Sequence, residues 1–228
     1  MIILALDMSG DCCSIAIGDE KNILAQSSVF ARMRHLPKVM PQIDFTLKQA
    51  NKKIEDIELL CTVAGPGSWT GIRIAITMTK VFAHTLSIPC VTVGSLKSMA
   101  YNLRFVSSAV YPIIDASRKQ VYFAGFNCQE DVLKTINKPS LKKIDVFLDH
   151  ITSPAILLGN GCVSYGDLIR QYSTKKLIIA PESMNQINIG HVIEIGYEKF
   201  LTKGPDDVHG LSPVYLQQTD AERNFEKK

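Results

Sequence analysis

The densest candidate chemistry in the chain is the segment Gly65-Pro66-Gly67-Ser68-Trp69-Thr70-Gly71-Ile72-Arg73, which lies between an apolar run and a helical pattern. Glycine adopts backbone conformations closed to other residues, and a helix start presents unpaired N–H groups and a partial positive charge. Such a segment can cradle a phosphate: Gly65, Gly67 and Gly71 shape the backbone, Ser68 and Thr70 add hydroxyl donors, and Arg73 adds a cation. It matches neither common phosphate fingerprint. The P-loop requires Lys where Ile72 stands, and GxGxxG is missed by one residue because Gly71 follows Gly67 after three others. The residues alone leave open both a tight strand-to-helix turn and an anion site.

Asp7 ends the first apolar run and is followed by Met8-Ser9-Gly10, where a carboxylate and the Ser9 hydroxyl can reach a metal-phosphate complex or simply close a turn. Paired-carboxylate chemistry needs a second acid at another strand end, and Asp115, in Asp115-Ala116-Ser117-Arg118, is the candidate. Leu158-Gly159-Asn160-Gly161 runs from a strand into glycines, and Gly159 and Gly161 would allow close approach of an adenosine. Arg32-Met33-Arg34-His35 could meet phosphate or an acidic partner, or be ordinary solvated loop charge. The histidines at 35, 84, 150, 191 and 209 never recur three or four residues apart, and the six cysteines form no CxxC pair. The residues thus predict no metal site, and buried free thiols in place of a disulfide framework.

These residues need a scaffold, and hydrophobic periodicity predicts one. Ile2–Leu6, Cys12–Ile17 and Ile23–Val29 read as an antiparallel meander separated by turn-forming residues. A helix over about 37–51 follows, with Pro37 and Pro41 tolerated only near its first turn. Then come a strand at Ile57–Ala64, a helix after the glycine segment, a strand at Cys90–Val93, and a helix over Leu96–Leu103 capped by Ser95. A similar alternation restarts near Ala109, with strands at Val110–Asp115, Gln120–Phe126, Val132–Ile136, Ala155–Leu158 and Leu177–Ala180. Helices are expected near 141–151, through Tyr165–Tyr172 and over 189–201. The pattern predicts an α/β chain of two lobes, each a mixed sheet flanked by helices: a first lobe over 1–104 and a second over 105–228, with the terminal helix free to pack back on the first.

Composition bounds the partners. Of 228 residues, 46% are hydrophobic, and 25 Lys and Arg against 22 Asp and Glu leave a charge of +3, which is no electrostatic footprint for a dedicated nucleic-acid binder. The N-terminal MIILALD lacks a basic region and meets Asp7 too early for a secretory signal. The longest uncharged runs, Leu59–Ile72 and Ile151–Gly166, fall short of the ~20 apolar residues of a spanning helix. A cytoplasmic protein with no membrane partner is expected.

Three blocks carry a recognisable signature: ILALDMSGDCCSIAI, RMRHLPKVMPQI and VAGPGSWTGIRIAITMTKVFAHTLSIPCVTVGSLKSMA. With YPIIDASRKQVYFAGF, LLGNGCVSYGDLI and the late LSPVYLQ, the chain resembles the TsaB (YeaZ) family over nearly its whole length. The resemblance implies the two-lobed, RNase H-like fold of actin, Hsp70 and sugar kinases, each lobe holding a mixed five-stranded sheet. It implies a non-catalytic scaffold needed to place a threonylcarbamoyl group on the adenosine beside the anticodon of tRNAs reading codons that begin with A. The implied partners are a TsaD-like catalytic paralogue, a TsaE-like ATPase, tRNA through the complex, and a second copy of the chain when it is alone. No tightly bound cofactor is implied, with ATP or ADP expected only at or near the interface.

Docking in the family uses the first two helices. On this chain that implies a surface of His35, Leu36, Val39, Met40, Ile43, Ile72, Ile76 and Lys80, where a charge at Ile43 or Ile76 would prevent association. The chain departs from the family pattern at Met8, at Leu36-Pro37 after His35, and at Trp69 in place of the usual Phe. Loss of a hydroxyl at position 8 weakens a phosphate role for that turn. The alternatives weighed are an autonomous ATP-dependent small-molecule kinase of the same fold, using Asp7 and the glycine loops, and a metal-dependent peptidase or plain interaction module.

Overall fold

The computed structural model describes residues 1–31, 35–129, 132–151, 154–172 and 176–216. The chain runs β1 (Ile3–Asp7), β2 (Cys12–Gly18), β3 (Ile23–Phe30), α1 (Leu36–Gln49), β4 (Leu59–Val63), α2 (Trp69–Leu86), β5 (Cys90–Val93) and α3 (Ser95–Ala100). It continues β6 (Ala109–Asp115), β7 (Gln120–Gln129), β8 (Val132–Lys143), α4 (Ile144–His150), β9 (Ala155–Leu158), α5 (Asn160–Ser164), α6 (Gly166–Gln171), β10 (Leu177–Ile179) and α7 (Ile189–Lys203). Two five-stranded sheets result, ordered β3-β2-β1-β4-β5 and β10-β9-β6-β7-β8. Each has an antiparallel hairpin on one side of its lead strand and parallel strands on the other, so the second sheet repeats the plan of the first.

β1 is buried throughout, and its alternating side chains serve two layers. Leu4 and Leu6 join Ile15, Ile17 and Leu60 beneath α1 and α2, while Ile3 and Ala5 join Cys61, Val91 and Ile193 beneath α7. A central strand covered on both faces reads as a continuous apolar run, as ILAL does. α2 is capped by Ser68, whose hydroxyl accepts from Gly71 N at 3.2 Å, and it ends on Ser87 in the left-handed region. α7 is capped by Asn188, which accepts from Gly190 N at 3.1 Å.

Packing crosses the chain. α3 places Leu96, Met99 and Ala100 against Val110, Ile114 and Phe126 of the second sheet. α7, from the far end of the sequence, lays Ile189, Val192 and Ile193 on the first. Beyond α7 the chain returns along the first sheet. Asp206 N donates to Cys90 O at 2.9 Å, and the Asp206 carboxylate accepts from Thr92 N, Thr92 Oγ1 and Lys199 Nζ at 2.7 Å each. Leu211 enters the core under α1 and α2, and Val214 N donates to Ala64 O at 2.8 Å.

Several boundaries differ from the sequence reading. β8 runs to Lys143 instead of stopping at Ile136, and α4 starts correspondingly later. β8 is an edge strand, where the N–H that Pro139 lacks leaves no ladder bond unmade. Pro41 sits inside α1, beyond its first turn. Ser95 does not cap α3: Gly94 holds that position, and Ser95 Oγ donates to Pro66 O at 2.5 Å. All six cysteines are free. No described helix is long and apolar enough to cross a membrane.

Candidate functional site

The glycine segment turns from β4 into α2 and is pressed against the turn that follows β1. Gly65-Pro66 is a cis peptide. Ser68 N donates to Ser9 O at 2.7 Å, and Ser95 N donates to Gly65 O at 3.0 Å. A β-carbon on Gly67 would stand 2.2 Å from Ser9 O, and one on Gly71 1.8 Å from Met8 O. These glycines therefore let the loop and the end of β1 touch, and the Ser68 and Gly71 amides bond within the protein. Gly159 and Gly161 do the same in the second half, where β-carbons would meet Ile113 O at 2.3 and 2.9 Å.

Asp7 closes its own turn: Oδ1 accepts from Ser9 N at 2.8 Å and from Ser9 Oγ at 2.7 Å. Asp115 repeats the arrangement. Its Oδ1 accepts from Ser117 N at 2.8 Å and from Tyr165 OH at 2.9 Å, and burial, then this bond, push the phenol up to about 12. Burial pushes the thiols of Cys13 and Cys162 up to about 11 and about 12, so both are held protonated at neutral pH. Among the described residues, no group of three His, Cys, Asp or Glu side chains is placed to hold a metal ion.

Burial, the largest influence, raises the Asp7 carboxyl above its ordinary value, with the two Ser9 bonds pulling the other way. The folded state then binds the proton more tightly than the unfolded one. Stability falls as pH rises from 3.8, the unfolded value, through the raised folded value, and stays low above it. Asp7→Asn is expected to raise the melting temperature at pH 7 and to give no advantage below pH 3.8, where wild-type Asp7 is protonated in both states. Melting curves over a pH series check this, and equal curves at pH 7 would contradict it.

Arg73 does not point to the Asp7 turn. Its guanidinium lies 4.2 Å from the Trp69 ring centroid, and its Nε donates to Tyr215 OH at 2.8 Å, while the Trp69 and Tyr215 rings stack at 4.0 Å. The structure thus brings Ser9, Gly67, Ser68 and Gly71 together with Asp7 and turns Arg73 to the returning tail. Gly159 and Gly161 stand at the equivalent turn of the second sheet. Thr70 is exposed in the first turn of α2. Arg32, Met33, Arg34 and Gln217 lie outside the described residues. Two cavities, of about 490 Å³ around Ser14, Ser28, Asn102 and His191 and about 630 Å³ around Lys119, Tyr165 and Arg170, include neither Asp7 nor the glycine segment.

The expected docking residues divide sharply by burial. Val39, Ile43, Ile72 and Ile76 belong to the chain's own core under α1 and α2, and His35 is buried, its Nδ1 unpartnered and its pKa lowered by burial. These five are corrected as a docking surface, because the stripe repeating at helical spacing is the one each helix spends on its own sheet. Lys80 is tied to the tail, donating to His209 O at 3.1 Å. Leu36 and Met40 remain outside, 66% and 43% exposed, and Ile74 and Met78 of α2 are half-buried. Removing Ile43, which is fully enclosed, should cost about 2–5 kcal/mol as Ile43→Ala, measured by denaturant unfolding. Ile43→Asp should fail to fold instead of merely failing to dock.

A family profile described as TsaD, tRNA N6-adenosine threonylcarbamoyltransferase, matches residues 28–191. End-to-end relatives carry a different name. The tRNA threonylcarbamoyladenosine biosynthesis protein TsaB of Bacillus subtilis is 28% identical over 99% of this chain and 98% of its own length. The chain belongs to the TsaB (YeaZ) family. It falls within the wider family that the profile describes, and the TsaB of Escherichia coli is 25% identical over 97% of this chain and 96% of its own length. Among solved structures, YeaZ from Pseudomonas aeruginosa superposes with a TM-score of 0.78 at 19% identity, covering 94% of this chain and 99% of that one. The two repeated sheets are thus the actin/Hsp70/sugar-kinase-like fold of that family. The role of the TsaB family lies in tRNA threonylcarbamoyladenosine biosynthesis.

Proposed function

We propose that this chain is the docking subunit of a tRNA threonylcarbamoyl transferase. It binds a TsaD-like paralogue, works with a TsaE-like ATPase, and is required for threonylcarbamoylation of the adenosine next to the anticodon in tRNAs reading A-starting codons, without catalysing the transfer. The reading rests on the apolar side chains left outside the core, Leu36 and Met40 on α1, together with half-buried Ile74 and Met78 on α2. Apolar side chains on neighbouring helices form the ridges that a second helix pair fits. Asp7 and Asp115, the acids a kinase would use, are engaged in closing their own turns, which favours a scaffold. Nucleotide, ATP or ADP, acts at or near the joint with the partner. The setting is the cytoplasm, where the tRNA is.

Size-exclusion chromatography of the full chain with the TsaD-like protein of the same organism, with and without ATP, tests the docking. Co-elution is expected, and separate peaks in both conditions would refute it. Depletion of the chain should remove the modified nucleoside from digested tRNA, and unchanged levels would refute the functional role.

A further inference from the structure

The formal charge of +3 is not spread evenly along the chain. From Ser117 to Lys143, the span of the β6–β7 turn and the β7–β8 hairpin, the sequence carries six Lys and Arg against two acids, and the remainder carries 19 against 20. The whole positive excess therefore sits on one hairpin of the second sheet. Its two acids, Glu130 and Asp131, lie outside the described residues. The cations are Arg118, Lys119, Lys134, Lys138, Lys142 and Lys143, and all but half-buried Lys142 are exposed.

The backbone lines them up. Lys134, Lys138 and Lys142 recur every fourth residue along β8, about 13 Å apart at the rise of a strand. Gln120 pairs with Lys143, which sets the preceding turn at the Lys143 end of that row. In the turn, Ser117, Arg118 and Lys119 all take the left-handed conformation, at φ 62°, 53° and 58°, which residues with side chains disfavour and which neighbours must hold. Ser117 N donates to Asp115 Oδ1 at 2.8 Å, and Ile144 N donates to Lys119 O at 2.9 Å. The strand lysines meet neutral groups: Lys134 Nζ donates to Gln129 Oε1 at 2.9 Å, and Lys142 Nζ stands 5.8 Å from the Phe123 ring centroid. No carboxylate among the described residues pairs with a β8 lysine. Charge on an edge strand guards against sheet-to-sheet pairing, but Pro139 and the broken register at Gly125 already blunt β8. Arg118 and Lys119 precede β7, which is not an edge strand, so edge protection leaves them unexplained.

We propose that the β7–β8 hairpin and its leading turn form a phosphate track, by which this chain itself holds the sugar-phosphate backbone of tRNA. That the RNA is a tRNA rests on the transferase reading above. A nucleic-acid strand carries a charge at every residue, and a row of ammonium groups on flexible stems neutralises several of them. Such contacts position the RNA without reading its bases, which suits a subunit serving every tRNA that reads an A-starting codon. Leu36 and Met40 belong to a helix on the first sheet and the track to the second, so docking and RNA contact use separate surfaces.

Anisotropy of a labelled tRNA transcript, titrated over a salt series with the full chain in complex with the TsaD-like protein, tests the track. Lys134→Gln/Lys138→Gln/Lys143→Gln should weaken binding roughly tenfold or more and lower the slope of log affinity against log salt by about 2–3, near 1 for each lost phosphate contact. Lys21→Gln/Lys48→Gln/Lys203→Gln removes the same charge from exposed positions around the first sheet and should weaken binding less than about twofold. Both triple variants should melt with the wild type and co-elute with the TsaD-like protein. Equal weakening by the two triples, or an unchanged salt slope in the hairpin triple, would overturn the track. So would loss of co-elution in the hairpin triple alone, which would make the hairpin a protein contact. The same titrations on the chain alone keep the two readings apart: a wild type that never co-elutes refutes the docking, and a hairpin triple that binds RNA like the wild type refutes the track.

Discussion

Gly71→Ala is expected to destabilise the chain by about 3–5 kcal/mol, roughly 10 °C in melting temperature for a chain of this size. The new methyl carbon would stand 1.8 Å from Met8 O and 3.1 Å from Ser68 Oγ. Neither neighbour can move freely. Met8 is fully buried at the end of β1, and Ser68 caps α2 while its N–H holds Ser9 O. Relief requires lifting the start of α2 from β1, which strains packed core, breaks the cap and strands buried backbone groups together. Gly10→Ala is the control: nothing stands within 4 Å of its β-carbon, and its melting temperature should stay within about 0.5 kcal/mol equivalents of wild type. Thermal unfolding of the two variants side by side checks the claim. A well-folded Gly71→Ala chain would show that the segment's glycines serve something other than contact with β1.

Leu36→Glu with Met40→Glu is expected to abolish association with the TsaD-like partner while leaving the isolated chain folded. Both side chains already face water, so their replacement costs the free chain no core contact. In the complex each would bury a carboxylate where an apolar anchor sat, and anchors of this kind are worth about 2 kcal/mol or more each, together on the order of 1,000-fold in affinity. Calorimetric titration should show the loss, and cells relying on the variant should lack the modified nucleoside. Retained binding with intact folding would move the docking surface elsewhere.

Much of the architecture was legible because it is local. The β1–β3 meander, the strand-turn-helix at the glycine segment and the restart near Ala109 each rest on apolar periodicity and turn residues a few positions apart. The role of the helix faces was not. Val39, Ile43, Ile72 and Ile76 repeat at helical spacing, and that signal reports burial without naming what does the burying. Leu36 and Met40 share that spacing and yet stay exposed, a difference set by how α1 sits on its sheet and not by spacing. Arg73 was legible as a cation but not as the partner of Trp69 and Tyr215, since Tyr215 lies far along the chain and no local spacing predicts a returning tail.

The exchange of α3 and α7 between the two sheets bears on how the molecule is born. While a ribosome is still making the polypeptide, the rear of the first sheet has no lid, for α7 emerges only after the whole second sheet. Ile3, Cys61 and Val91 must wait in the open until Ile189–Lys203 has been made. The first half thus cannot finish its core before the second half has been made, and the interval before α7 arrives is when a newly made chain most needs a chaperone's shelter.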